Sequence, residues 1–240
     1  MAGEPGGSSP LQAQLASVAG ELRSGWLSDP TTRSIPFPSL RVVSDPAAQQ
    51  AACPQPDAAI PLPRPVRYCA NSSEILINRS WLETDASAGA WPRRYWIALA
   101  LTEALPQLKN RKVAEPVANL QHNCLAGVLL AGSGLTQQAE SAAVIAPAIT
   151  AYSISRNALA GTPSQRGYAL LTGLGATALS CSYQDMLALS DNKVPDPDLL
   201  KAAAEVRRSS SSLMAVLNSQ CRPRPSASCP RRLSPSAWNP

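Results

Sequence analysis

Histidine, phenylalanine and long apolar runs are what this 240-residue chain has least of. His122 is the sole histidine and Phe37 the sole phenylalanine. One imidazole cannot supply the two histidines, four apart on one helix face, that a zinc peptidase of the H-E-x-x-H type requires. Any Ser-His-Asp or Cys-His arrangement would likewise have to use His122, because a nucleophile needs a nearby base. Nothing around Cys124 or the serines has the form of a nucleophile elbow. Aromatic residues are only 5% of the chain, so the core must be built mainly from Ala, Leu, Val and Ile. No segment reaches the roughly 18 consecutive apolar residues that span a bilayer. The six cysteines include no C-x-x-C pair, which argues against a zinc ribbon. Met1-Ala2-Gly3-Glu4-Pro5-Gly6-Gly7 has neither the basic nor the apolar stretch of a secretory signal. The expectation is a cytoplasmic protein, or an extracytoplasmic one if a further segment precedes this sequence.

What is present points to one folded body with irregular ends. Hydrophobic residues make up 45%, enough for a core, and the 23 prolines cluster in the first 65 and last 20 residues. The expected plan is a flexible lead over 1–9, a single domain over 10–220 that includes a Pro-rich arm at 30–65, and a disordered Pro/Arg/Ser tail over 221–240. The net charge is +5, of which Arg222, Arg224, Arg231 and Arg232 in the tail supply four. The body is nearly neutral, which argues against a specific nucleic-acid interface and leaves the tail as the part able to touch anionic surfaces.

The periodicity predicts a mainly α chain, α+β in class, with a small β hairpin. Leu11, Leu15, Val18, Leu22 and Trp26 recur at helical spacing and stop before Pro30. Leu40–Val43 reads as a possible short strand within an otherwise irregular arm. Val66–Cys69 and Glu74–Ile77, separated by Ala70–Ser73, read as a hairpin with a four-residue loop. Helices are predicted at about 91–108, 112–132, 135–151, 162–180 and 196–219, with Ser133-Gly134 as a breaker and Pro197 in a first turn.

Four segments carry a resemblance. These are Gln50-Ala51-Ala52-Cys53; Arg67-Tyr68-Cys69-Ala70 followed by Glu74-Ile75-Leu76-Ile77-Asn78; Asn119-Leu120-Gln121-His122-Asn123-Cys124-Leu125-Ala126-Gly127; and Gly161-Thr162-Pro163-Ser164-Gln165-Arg166-Gly167-Tyr168. In this order they resemble the S-A-C-G, F-Y-C-P…I-Y-L-D, E-L-Q-A-D-C-x-A-G and H-G-S-x-x-Q-R signatures of the bacterial neutral zinc metallopeptidases. The resemblance implies a helical metallopeptidase-like fold and a zinc site, but the site positions depart from it. The two helix histidines are matched by Thr102 and Pro106, with the general-base Glu103 left between them. The third ligand is matched by Asn119, the acid before the cysteine by Asn123 and the histidine before the downstream glycine by Ala160. A neutral hydroxyl is a poor ligand for zinc and proline is none at all. Pro106 either kinks the helix at Thr102, whose carbonyl lies four residues back, or ends the helix.

The resemblance also implies a structural set: Cys53 bridged to Cys69 across the arm and hairpin, Cys124 and Cys181 stapling two core helices, and Arg166. Free, buried cysteines are the alternative. Arg166 is the expected partner of Glu103, the alternative being that both lie on the surface. The reading that follows is a catalytically inactive homologue, without cofactor, that binds or scaffolds a protein or peptide partner. The competing reading is an active metal-dependent hydrolase with the unusual ligands Glu103, His122 and Cys124. A third is an electrostatic adaptor acting through the tail.

Overall fold

The computed structural model describes residues 10–54, 62, 64–84, 90–109, 115–136, 141–152 and 156–205. The expected lead over 1–9, the tail over 221–240 and the far end of the last predicted helix lie outside the described residues. The fold is mainly α with one small three-stranded sheet.

Helix α1, Pro10–Ser28, turns Leu15, Val18, Leu22 and Trp26 inward, all buried, so its three-and-four spacing makes one apolar face. The turn after it is held by Trp26 Nε1 donating to Ile35 O at 2.8 Å and Thr32 Oγ1 donating to Trp26 O at 2.5 Å. Strand β1, Ser39–Val43, then enters the sheet. The arm is less irregular than its prolines suggest, because it contains helix α2, Pro46–Ala52. Asp45 accepts from Ala48 N at this helix start and Pro46 takes the first turn, where a missing N–H costs nothing.

Strands β2, Val66–Cys69, and β3, Glu74–Asn78, form the expected antiparallel hairpin. β1 adds to it in parallel, in register from Ser39 opposite Glu74 to Val43 opposite Asn78, giving the order β1-β3-β2. The central strand β3 is covered on both sides, and Ile75, Leu76 and Ile77 are all fully buried. Gln49 of α2 locks the layer by donating to Pro65 O and Leu76 O.

Beyond the short helix α3, Arg79–Thr84, come α4, Trp91–Glu103, and α5, Pro106–Lys109. Next are α6, Val117–Gly132; α7, Ser141–Thr150; α8, Asn157–Ala160; α9, Pro163–Gly173; α10, Tyr183–Ser190; and α11, Pro197–Glu205. α6 is the axis of the bundle and packs against α1, α4, α9 and α10. It approaches α9 where Gly127 meets Gly173, and a Cβ on either would collide with the other helix's backbone. Glycine is required there by distance, not by backbone angle.

Several predicted boundaries are corrected. α4 ends at Glu103, and Pro106 opens α5 instead of kinking α4, because the residue before a proline is pushed out of the helical region. The helix predicted over 162–180 ends at Gly173, and Gly175 follows with φ +80°, a left-handed value that breaks the helix. α10 was not predicted, although Ser182 caps it by accepting from Asp185 N at 3.2 Å. Cys181 accordingly sits just before α10 and not on a core helix. Among the described residues no helix is long and apolar enough to cross a membrane.

Both disulfides are formed. Cys53 joins Cys69 with Cα atoms 5.5 Å apart, tying the end of α2 to the end of β2. Cys124 joins Cys181 at 5.4 Å, tying α6 to the entry of α10. The loops closed span 16 and 57 residues, so chain entropy gives about 3 and 4 kcal/mol respectively. Alkylating the unreduced, denatured protein should leave these four cysteines unlabelled. Replacing the Cys124–Cys181 pair by serine should cost more stability than replacing Cys53–Cys69, as read by denaturant midpoint at constant slope.

Candidate functional site

The site is built where the C-terminal end of α4 meets the start of α6 and the chain leading into β2. Glu103 is the last residue of α4, and its Oε2 accepts from the backbone N–H of Tyr68 at 3.2 Å. Its other oxygen, Oε1, pairs with Nη1 of Arg64. The Arg64 side chain is only 10% exposed and that of Glu103 25%. The other two nitrogens of Arg64 are also engaged. Nη2 donates to Asn119 Oδ1 at 3.1 Å and Nε to Tyr152 Oη at 3.1 Å. Asn119 is fully buried, accepts weakly from Tyr152 Oη at 3.4 Å, and donates through Nδ2 to Ala160 O at 2.6 Å. A single guanidinium is thus bound by a carboxylate from α4, an amide from α6 and a phenol from the end of α7, each on a different nitrogen.

Below this ion pair lies a second polar contact. Thr102 Oγ1 is 2.6 Å from Leu99 O and 2.7 Å from His122 Nδ1. The hydroxyl has one hydrogen, and a carbonyl can only accept it, so Thr102 donates to Leu99 and accepts from a protonated Nδ1. Nε2 then carries the lone pair. Burial, and to a lesser degree the Arg64 charge, holds His122 neutral with its pKa brought down to about 3. Glu115 stands one turn before Asn119 and accepts from its backbone N–H at 3.1 Å. Burial raises the pKa of this carboxyl against the opposing pull of Arg64. Asn123 is satisfied by Tyr95 Oη at 2.8 Å and by donating to Asn119 O at 2.8 Å.

The positions singled out by sequence therefore divide into two groups. Glu103, Asn119 and Ala160 meet around Arg64, and Thr102 and His122 pair with each other. Pro106 lies outside α4. Cys124 is bonded to Cys181 and Glu103 to Arg64, while His122 donates Nδ1–H to Thr102 and keeps the lone pair on Nε2. No group of three His, Cys, Asp or Glu suited to a metal occurs among the described residues.

The expected Glu103–Arg166 pair is not formed. Arg166 is fully buried on α9 and donates to Ala148 O at 2.7 Å, Ile149 O at 2.8 Å and Gly161 O at 2.5 Å, and to Asn157 Oδ1. Carbonyls at the end of α7 carry the negative pole of that helix, and this environment suits a cation. The guanidinium also lies 5.3 Å from the ring centroid of Tyr152. Gly161, whose φ of +78° needs a glycine, is the turn that presents its carbonyl to Arg166. Arg166 organises backbone and Arg64 organises side chains, and Tyr152 lies between them.

Sequence reasoning missed Arg64 and Tyr152. The signal for Arg64 was available, since it is the first cation after Arg41 and is bracketed by Pro63 and Pro65. Arg64 also lines a cleft of about 640 Å³ whose walls include Trp81, Trp91, Trp96, Pro65 and Pro147. Trp96 meets Tyr152 edge to face at 5.8 Å, so the cleft wall and the polar cluster share a boundary. No family model matches the chain, and neither a curated protein nor a solved structure is found similar to it.

Two outcomes check this geometry. Glu103→Gln should leave Arg64 without its counter-charge and cost about 2–3 kcal/mol, the lower side of what breaking a buried pair costs because Glu103 is partly exposed. For His122 the folded pKa is depressed, so the unfolded chain binds the extra proton between about pH 6.5 and pH 3. Stability should fall as pH drops through that window, at up to about 1.4 kcal/mol per unit. Glu115, with a raised folded pKa, acts in the opposite sense above its ordinary value. The difference in unfolding free energy between wild type and His122→Gln isolates the histidine and should itself shrink towards acid.

Proposed function

We propose that this chain is a catalytically silent relative of the neutral zinc metallopeptidases that keeps their framework and binds or scaffolds a protein or peptide partner. One observation carries the reading. Glu103 and Asn119, which match the general base and third ligand of that family, both bind the guanidinium of Arg64. A tethered organic cation takes the charge-balancing role that a metal would have between these two positions.

The other positions support the same reading. Thr102 spends its hydroxyl hydrogen on Leu99 O, Asn119 spends its amide on Ala160 O, and proline at 106 has no donor atom. These residues do not fit a zinc ion. The residues shared with the family are instead those that hold the fold. The two disulfides cross-link it, Gly127 admits α9, Gly161 makes a turn and Arg166 ties three carbonyls. The disulfides also favour an oxidising compartment. A binding role draws on the cleft, whose volume and tryptophan-and-proline walls suit an extended, largely apolar peptide.

The hydrolase reading would require Cys124 as a ligand, yet its sulfur is bonded to Cys181. Metal analysis of the purified protein separates the two readings. Silence predicts substoichiometric zinc that does not change on His122→Ala. One zinc per chain, lost on that substitution, would remove the proposal.

A further inference from the structure

We propose that Glu103, Asn119 and Tyr152 form a receptor for a proline-flanked arginine, and that Pro223-Arg224-Pro225 of this chain is a second ligand for it, exchanging with Pro63-Arg64-Pro65. The receptor has a defined chemistry. Three groups from three elements approach three different nitrogens of one planar cation, Nη1 from Glu103, Nη2 from Asn119 and Nε from Tyr152. An ammonium offers one nitrogen and cannot satisfy that arrangement, so the site selects guanidinium over lysine. The flanking residue matters as well. Pro65 lines the cleft and its carbonyl is fixed by Gln49 and by Asn78 N, so the arginine enters from a backbone anchored on its C-terminal side. Prolines on both sides favour an extended chain before binding and reduce the entropy lost.

The sequence Pro-Arg-Pro occurs at 63–65 and again at 223–225. Charge complements the exchange, because Glu103 leads the receptor while residues 221–240 contain four arginines and no acid. The length suffices too. α11 ends at Glu205 and packs against α9 and α7, and α7 supplies Pro147 and Thr150 to the cleft. The 18 residues between Glu205 and Arg224 reach roughly 60 Å when extended. Exchange of one Pro-Arg-Pro for another is close to neutral in contact energy, so tether length decides occupancy. Arg64, held between buried Leu62 and strand β2, has the shorter tether and fills the receptor in the resting chain. Arg224 takes over when Arg64 is withdrawn. This deepens the binding role proposed above but rests on the geometry at Arg64, so it can fail while the zinc measurement succeeds, and the reverse.

The test is a double-mutant cycle on the full chain, read by thermal unfolding. Arg224→Ala alone should move the midpoint by less than about 1 °C, because the receptor is already filled. In the Arg64→Ala background the same substitution should lower it by a further 3 °C or about that, since Arg224 then holds the site. Equal shifts in the two backgrounds would overturn the proposal. If Arg64→Ala does not fold, a peptide of residues 220–228 is titrated into the full-length chain carrying Arg64→Lys and Arg224→Ala, whose ammonium leaves the guanidinium site open, and tryptophan emission is followed, since three tryptophans line the cleft. A saturable change that disappears when the peptide carries Arg224→Gln is expected. No saturation, equal saturation by the Gln peptide, or equal saturation by an arginine peptide without prolines would each refute it.

Discussion

A buried guanidinium must have its donors satisfied, and most of the described site follows from meeting that demand at Arg64. The cost of desolvating the charge is recovered only if a carboxylate lies within contact and the remaining N–H groups find acceptors. Glu103 therefore has to stand at the end of α4, where the chain is free to aim it at the arm. Asn119 has to be an amide, because it accepts from Arg64 and donates to Ala160 O with the same side chain. A carboxylate there would lack the donor, and an apolar residue would leave Arg64 and Ala160 unsatisfied. Tyr152 completes the set from α7's end, and its ring at once packs on Trp96 and faces Arg166.

The same demand reaches into the sheet. Arg64 can arrive only if the residues before β2 run in a fixed path, and that path is held by Gln49 on Pro65 O, by Asn78 N on the same carbonyl and by the Cys53–Cys69 cross-link. α2 is thus more than a connector. Its Asp45 cap and Pro46 start place Gln49, which fixes the carbonyl of Pro65, next to the arginine and just before β2. The α6–α9 contact works in parallel from the other side. Without side chains at Gly127 and Gly173 the two helices come close enough for Arg166 to reach the α7 carbonyls and hold Tyr152 in position.

Much of the architecture was legible in the sequence because it rests on local rules. The first helix declares its apolar stripe, the hairpin its two β-branched runs and short loop, and the last helix its Asp196-Pro197 start, with Asp196 accepting from Leu199 N. Boundaries were less legible where two rules compete. A helical pattern through 91–108 conceals the stop that Pro106 imposes on Leu105, and one through 162–180 conceals the break at Gly175. The site was half legible. Thr102, Glu103, Asn119 and His122 could be named from a motif, but their partners could not, since Arg64 and Tyr152 are 38 residues before and 30 after the nearest of them. Arg166 was placed on the wrong partner for the same reason. A charge's counter-group is a tertiary fact, and a carbonyl cluster at a helix end leaves no mark in composition.

The neutral histidine shows how far the Arg64 charge governs its surroundings. An imidazole beside a buried cation is disfavoured as imidazolium twice over, by burial and by like charge, and Thr102 adds a fixed acceptor for Nδ1–H. The result is a histidine whose tautomer is set and whose protonation is suppressed, so it can neither relay a proton at neutral pH as an acid nor gain charge to attract an anion. Glu115 is pushed the other way by burial and is restrained by the same guanidinium. The guanidinium lowers the pKa of both neighbours, while burial acts on them in opposite directions. One fixed cation thus favours the deprotonated form of both groups, the imidazole and the carboxyl alike.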